Sequence, residues 1–337
     1  MRRAPERAAR PMSGAKRILV WLGGGEQTLC EALSRVEGVE VVRARDRTQA
    51  LSAMDDSDAL VTSVVFWDAD FAQALRRSPR LAWVQIRNAG FDNMERLGVP
   101  ERVVVSTLAD VGSAEVAVHA IALLLALLRA LPIAFDAQRR QEWSAGPIYR
   151  TARTLHDLHA GVVGFGHIGR KVAALAGAFG AHVVGFARTA RIDRGGVEVR
   201  ALGELRATLP ELDAVLICAP LNQATERLVD AEAFAAMKRG SCLVNVARGR
   251  IVDTTALVEA LRSGALAGAA LDVVDPEPLP AAHPLWSLPN VLLTPHTAGS
   301  GGGEAQERRI EALVLENVRR FARGEPVLHV APLRREG

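Results

Sequence analysis

The stretch Ala160-Gly161-Val162-Val163-Gly164-Phe165-Gly166-His167-Ile168-Gly169 decides the fold. An apolar run of strand character leads into glycines spaced G-x-G-x-x-G. The next segment is helical, because Ile168, Val172, Leu175, Ala176 and Phe179 recur on one face. Gly180 closes that helix and 182–186 reads as a second strand. In a chain with 29 glycines the spacing alone says little. Inside a strand–turn–helix–strand unit it has a mechanism. Gly164 permits the tight turn, Gly166 lets the backbone approach a pyrophosphate, and Gly169 lets helix pack on strand. His167 and Ile168 lie in the first helical turn, whose N–H groups face the anion.

The end of the second strand selects the dinucleotide. An acid about 20 residues past the first glycines would hold a ribose 2′-OH. Here the strand runs into Ala187, and Arg188 and Thr189 come next. A small residue followed by a cation and a hydroxyl suits a 2′-phosphate, so NADP(H) is expected, with NAD(H) as the alternative. The earlier Gly23-Gly24-Gly25 also comes after a strand but lacks a third, helix-packing glycine, and reads as a simple turn.

Around this unit, 160–164, 182–186, 214–218, 242–246, 268–272 and 291–294 read as six strands alternating with helices. Six is the number of a complete dinucleotide-binding sheet. Upstream, strands at 18–22, 39–43, 60–62, 81–86 and 103–105 alternate with helical stretches at 26–37, 46–54 and 68–77, which implies another parallel sheet covered by helices. A long apolar helix at 114–131 stands between the two series. The final helix, 304–323, collects Ile310, Leu313, Val314, Val318 and Phe321 on one face, with Gly324 at its C-cap. It has no further strand to join, so folding back on the first sheet would make that domain discontinuous.

Composition excludes several classes. Apolar residues at 49% and charged residues at 23% are ordinary for a globular chain and argue against a largely disordered one. The 337 residues carry 41 basic and 38 acidic groups, a net charge of +3. Arg2, Arg3, Arg7, Arg10, Lys16 and Arg17 stand against Glu6 alone at the start, which leaves a slightly acidic body. The basic balance therefore belongs to a tail, read as disordered over 1–14, and nothing points to nucleic acid or an anionic membrane. The apolar run 121–128 is too short to span a bilayer. Cys30, Cys218 and Cys242 are odd in number and far apart, so neither a disulfide framework nor a zinc site is expected, and a reducing cytoplasm is. His156 and His159 flank Asp157 but have no third ligand nearby, and read as loop histidines.

Three later segments fall at or beyond strand ends, where open α/β sheets place ligands. They are Val244-Asn245-Val246-Ala247-Arg248-Gly249, Asp272-Val273-Val274-Asp275-Pro276-Glu277-Pro278-Leu279 and Thr294-Pro295-His296-Thr297-Ala298-Gly299. A cation, carboxylates and an imidazole on one rim suit carbonyl reduction. Arginine binds a carboxylate through two parallel hydrogen bonds. Histidine delivers a proton, and a neighbouring Glu fixes its tautomer.

With these segments and Cys218-Ala219-Pro220-Leu221, the sequence from about residue 15 to 330 closely resembles the D-2-hydroxyacid dehydrogenase family. The resemblance implies that Arg248 anchors the substrate carboxylate, that His296 is the acid/base with Glu277 paired to it, and that Asp272 holds the nicotinamide carboxamide. It implies a cofactor lining from Cys218, Pro220, Val246, Ala247 and His296 beside the glycine turn. Arg87-Asn88-Ala89-Gly90-Phe91-Asp92 looks like the family's substrate loop, with backbone N–H groups at Ala89 and Gly90 receiving the carboxylate. The implied architecture is α/β with two doubly wound parallel-sheet domains. A Rossmann cofactor domain, 108–296, is inserted in a discontinuous flavodoxin-like substrate domain, 15–107 plus 297–330, with the active site in the cleft between them. A homodimer is implied as partner, Trp143 being in a region that reaches the other subunit in family dimers or else an ordinary core residue.

The expected activity is NAD(P)H-dependent reduction of a small 2-keto acid such as glyoxylate or hydroxypyruvate. The alternatives are 3-phosphoglycerate oxidation and a dinucleotide-sensing binding protein on the same fold. Formate dehydrogenase relatives fit less well, because they lack the acid that stands here as Glu277 and carry Gln where this chain has Pro295. Three positions depart from the family pattern. Arg87 replaces a small or apolar residue and can reach a larger or acidic substrate. Val116-Ala117-Val118-His119 lacks the usual acid, which implies a packing difference. Gly299-Ser300-Gly301-Gly302-Gly303 is unusually rich in glycine.

Overall fold

A computed structural model describes residues 14–333. The expected tail therefore lies, except for Gly14, outside the described residues. The chain divides into two compact units: one runs up to Val111 and resumes at Gly303, and the other is Gly112–Gly302. These seams lie a few residues beyond 107/108 and 296/297. Leu108 N donates to Asn88 O and keeps that loop with the first unit, while Thr297 N and Ala298 N donate to Asp272 and keep theirs with the second.

The first unit is built on five parallel strands: β1 (Lys16–Trp21), β2 (Val39–Arg43), β3 (Ala59–Thr62), β4 (Trp83–Ile86) and β5 (Val104–Ser106), in the order β2-β1-β3-β4-β5. That order is the flavodoxin-like one. Side chains alternate across the sheet. Leu19, Trp21, Leu60, Val84 and Ile86 face one core, and Ile18, Val20, Ala59, Val61 and Trp83 face the other. The second core is closed by the helix Gly303–Ala322, whose Ile310, Val314 and Val318 are buried against it. Burying each such side chain contributes about 1.5–3 kcal/mol. The helix is also pinned by polar contacts, since Asn317 Nδ2 donates to Gln85 Oε1 at 2.8 Å and Asn317 Oδ1 accepts from Leu328 N at 2.7 Å.

The second unit holds β6 (His159–Val163), β7 (His182–Ala187), β8 (Arg191–Ile192), β9 (Glu198–Ala201), β10 (Ala214–Ile217), β11 (Ser241–Asn245), β12 (Leu266–Leu271) and β13 (Val291–Leu293). The order is β13-β12-β11-β10-β6-β7-β9-β8, parallel except for β8. The expectation of six strands is thus corrected to eight. The third strand of the doubly wound series is β9, parallel to β7, and β13 becomes a seventh parallel strand. In Glu198-Val199-Arg200-Ala201 only Val199 is buried, so β9 has no apolar run to announce it. The chain reverses between β6 and β10, and that switch point is where such sheets bind ligands.

The apolar helix ends at Leu128, not at 131, because Ala130 takes a left-handed φ of 54° and a new helix opens at Leu131 with Pro132 in its first turn. Its Ala117, Ala120, Ile121 and Leu124 share a core with Val172, Ala173 and Ala176 of the helix His167–Ala178. Among the described residues no single helix is long and apolar enough to cross a membrane.

Candidate active site

The glycine turn sits at the switch point. Gly164 has φ 92°, and a Cβ there would lie 2.4 Å from the Ala219 backbone beyond β10. A Cβ on Gly169 would lie 2.1 Å from Gly164 O. Both glycines are thus required by backbone approach. Gly166 differs, because a Cβ on it would meet nothing within 4 Å, and it caps the start of the twelve-residue helix His167–Ala178. Its bare backbone opens outward at a helix N-terminus, where first-turn N–H groups lack intrahelical acceptors. A dinucleotide pyrophosphate fits this cradle.

Beyond β7, Arg188 and Thr189 are exposed. Arg191 joins them: its guanidinium donates to Thr189 O at 3.1 Å and to Phe165 O, inside the glycine turn, at 3.0 Å. Arginine is so abundant in this chain that its sequence offers no signal for this one. After β10, Cys218 N donates to Val163 O at 2.7 Å. Burial pushes its thiol up to about 12, which disfavours the thiolate a nucleophile needs. Pro220 O accepts the Thr225 hydroxyl at 2.7 Å, which shapes the loop beyond it.

The loop after β11 is held by Asn245. Its Nδ2 donates to Arg248 O at 2.9 Å and its Oδ1 accepts from Ala247 N at 3.0 Å. Val246 and Ala247 are buried, while Arg248 is partly exposed and donates to Ala247 O at 2.7 Å. A Cβ on Gly249 would lie 2.0 Å from the Val274 backbone, so this loop abuts the one after β12.

Asp272, 2% exposed, organises the remaining rim. Its Oδ1 accepts the Thr294 hydroxyl at 2.6 Å and Thr297 N at 2.9 Å, and its Oδ2 accepts Ala298 N at 3.0 Å. His296 N donates to Asp272 O at 2.8 Å. These bonds hold His296 at φ 55°, a left-handed conformation that costs on the order of 1–3 kcal/mol outside glycine. The His296 side chain, about half exposed, places Nδ1 2.7 Å from Glu277 Oε1. A carboxylate there accepts the Nδ1 proton and leaves Nε2 for a reactant. A cavity of about 470 Å³ adjoins the pair, lined by Asp272, Val274, Leu279, Trp286, Leu293 and His296. Trp286 Nε1 donates to Pro280 O at 3.0 Å and steadies the loop carrying Glu277.

The second sheet therefore gathers Gly164, Gly166, His167, Ile168, Gly169, Arg188, Thr189, Cys218, Pro220, Val246, Ala247, Arg248, Asp272, Glu277 and His296 along one edge. Arg87, Ala89 and Gly90 lie just past β4, at the corresponding edge of the first sheet. There Arg87 pairs with Glu307, and Asn88 Oδ1 accepts from Ser63 Oγ at 2.9 Å and from Val64 N at 2.8 Å. The residue types around His119 signal only a packing difference, yet its Nε2 lies 3.0 Å from Thr294 Oγ1 and 3.5 Å from Asp272 Oδ1.

Comparison with known proteins finds relatives of the chain. Residues 121–298 match the model of the D-isomer specific 2-hydroxyacid dehydrogenase, NAD binding domain. A glyoxylate reductase of Pyrococcus furiosus is 36% identical over 299 residues, which are 86% of this chain and 87% of that protein. A D-3-phosphoglycerate dehydrogenase of Mycobacterium leprae is 36% identical over 306 residues, 89% of this chain but 56% of that protein. The NADPH-dependent glyoxylate/hydroxypyruvate reductase of Sinorhizobium meliloti, solved with NADP and sulfate, superposes with a TM-score of 0.79 at 27% identity, covering 94% of this chain and 98% of that one. With a phosphate-cradling turn at the switch point and a His–Glu pair on the same rim, the chain belongs to the D-isomer specific 2-hydroxyacid dehydrogenase family, oxidoreductases that work with a nicotinamide dinucleotide.

Proposed function

We propose that this chain reduces a small 2-keto acid, of the glyoxylate or hydroxypyruvate type, to the D-2-hydroxy acid with NADPH. The observation that carries the reading is the 2.7 Å contact between His296 Nδ1 and Glu277 Oε1 on the rim that also holds Arg248 and Asp272. A bound nicotinamide dinucleotide supplies the hydride. The chain's own residues do the rest. Arg248 offers a planar fork to the substrate carboxylate and polarises the neighbouring carbonyl. His296 holds at Nε2 the proton that the carbonyl oxygen takes up, and Glu277 keeps the ring in the tautomer and orientation this needs. Asp272 Oδ2, which accepts Ala298 N, retains lone-pair capacity for a carboxamide.

The NADPH preference is supported by Arg188 and Thr189 just past β7 and Arg191 at the start of β8, with no carboxylate at the end of β7. The mycobacterial relative keeps 3-phosphoglycerate oxidation as the second reading, and Arg87 is the residue that could serve a more anionic substrate. Exposed Phe135, Trp143 and Tyr149 support a homodimer formed through 131–151. Three unpaired cysteines support a cytoplasmic home. Product analysis tests the central reading. Hydroxypyruvate with NADPH should give D-glycerate, whereas L-glycerate or no product would overturn it.

A further inference from the structure

His119 lies on the helix Ser113–Leu128, away from the segments that carry the chemistry. The Asp272 carboxylate already accepts two backbone N–H groups, so the Thr294 hydroxyl, 2.6 Å away, donates to it. That leaves Thr294 Oγ1 as acceptor, and His119 Nε2 at 3.0 Å must be the donor. The same Nε2 lies 3.5 Å from Asp272 Oδ1. A chain His119–Thr294–Asp272 thus runs from a core helix to the segment 294–298, which brackets His296 and its left-handed backbone. The bonds from Leu271 and Asp272 hold that segment from its own sheet edge. His119 reaches it from a separate helix.

We propose that His119 is a positioning residue. It donates to Thr294, locks Asp272 in the orientation that grips Thr297 and Ala298, and thereby holds His296 where Glu277 can meet it. It touches neither substrate nor cofactor. Asp272 is buried and His119 and Thr294 are partly shielded from water; bonds in such a chain support one another, so losing one end loosens the rest. Only the kinetic part of the test below rests on the reductase reading.

The test uses His119→Ala, His119→Gln, Thr294→Val and the double variant His119→Ala/Thr294→Val in the full chain. His119→Gln keeps an N–H donor where Nε2 stands. The first readout needs no activity: hydrogen exchange of the amides over 294–302. We expect these to exchange roughly tenfold faster in His119→Ala, with His119→Gln near wild type and the 160–169 turn unchanged. The second is kinetic. His119→Ala should lower kcat about tenfold or more while NADPH binding stays within about twofold, and the double variant should be no worse than the worse single one. Exchange unchanged in His119→Ala, or equally fast in His119→Gln, overturns the proposal. So do multiplicative losses in the double variant. If wild type turns over no 2-keto acid, the reductase reading fails and the exchange result still decides the role of His119.

Discussion

The two parallel sheets carry glycine-rich loops at equivalent places, each after the first strand of its unit, and only one of them is built to take an anion. After β1, Gly23, Gly24 and Gly25 all have positive φ, and a Cβ on Gly23 would lie 2.4 Å from the Phe66 ring. Glu26 comes next, 3% exposed, accepting Gly24 N at 3.0 Å and Arg43 Nε at 3.1 Å. The loop's own carboxylate fills the place an anion would take, and the helix behind it, Gln27–Leu33, is short. After β6 no acid stands at the helix start, the helix runs twelve residues, and two glycines are demanded by backbone contact while the middle one opens outward. Glycine content does not distinguish the loops. The group lying on the helix start does.

The edges beyond these loops diverge in the same way. The second sheet's edge holds the His296–Glu277 pair and Arg248, whereas at the first sheet's edge Arg87 is answered by Glu307. If chemistry resides on the second edge, His296→Ala should have the largest effect. We expect kcat to fall about 10²–10⁴-fold with NADPH binding retained, the usual worth of a general acid. An unchanged kcat in steady-state assays would remove His296 from the reaction.

Gly169→Ala comes next. Its Cβ has no room beside Gly164 O, so the turn must open, and titration of the folded variant should show NADPH affinity reduced about a hundredfold. Wild-type affinity would break the contrast between the two loops. Arg188→Ala should raise KM for NADPH about tenfold or more, the loss of one charge-assisted bond, with KM for NADH within about twofold. Equal changes for both cofactors would show that the residue does not meet the 2′-phosphate. Gly25→Ala is the smallest. Nothing lies within 4 Å of the new Cβ, so only the left-handed φ of 72° costs, about 1–2 kcal/mol by thermal unfolding, with NADPH binding unchanged. A loss of NADPH affinity there would mean that the first loop binds cofactor after all.

Much of this is legible in the residues. The G-x-G-x-x-G turn reads correctly because its third glycine packs against its first, so the contact lies within the motif itself. The return of Ile310, Val314 and Val318 to the first sheet is implied by one apolar face with no other partner. Strand β9 stays hidden because a short strand near a sheet edge buries a single apolar residue. His119 stays hidden for a different reason, since its partners Thr294 and Asp272 are more than 150 residues away and no spacing along the chain records such a contact. Asn245 and Arg191 act through backbone groups, which every residue has, so their roles leave no pattern of residue types. The segments to which we assign the chemistry are legible; the bonds that hold those segments in place are not.

The decisive experiment is a set of initial rates for a panel of 2-keto acids, each run with NADPH and with NADH. A reductase with Arg248 and the His296–Glu277 pair on its rim and Arg188 beyond β7 should turn over glyoxylate and hydroxypyruvate, with kcat/KM higher for NADPH than for NADH. A clear preference for NADH, or no turnover of any 2-keto acid with either cofactor, would contradict it.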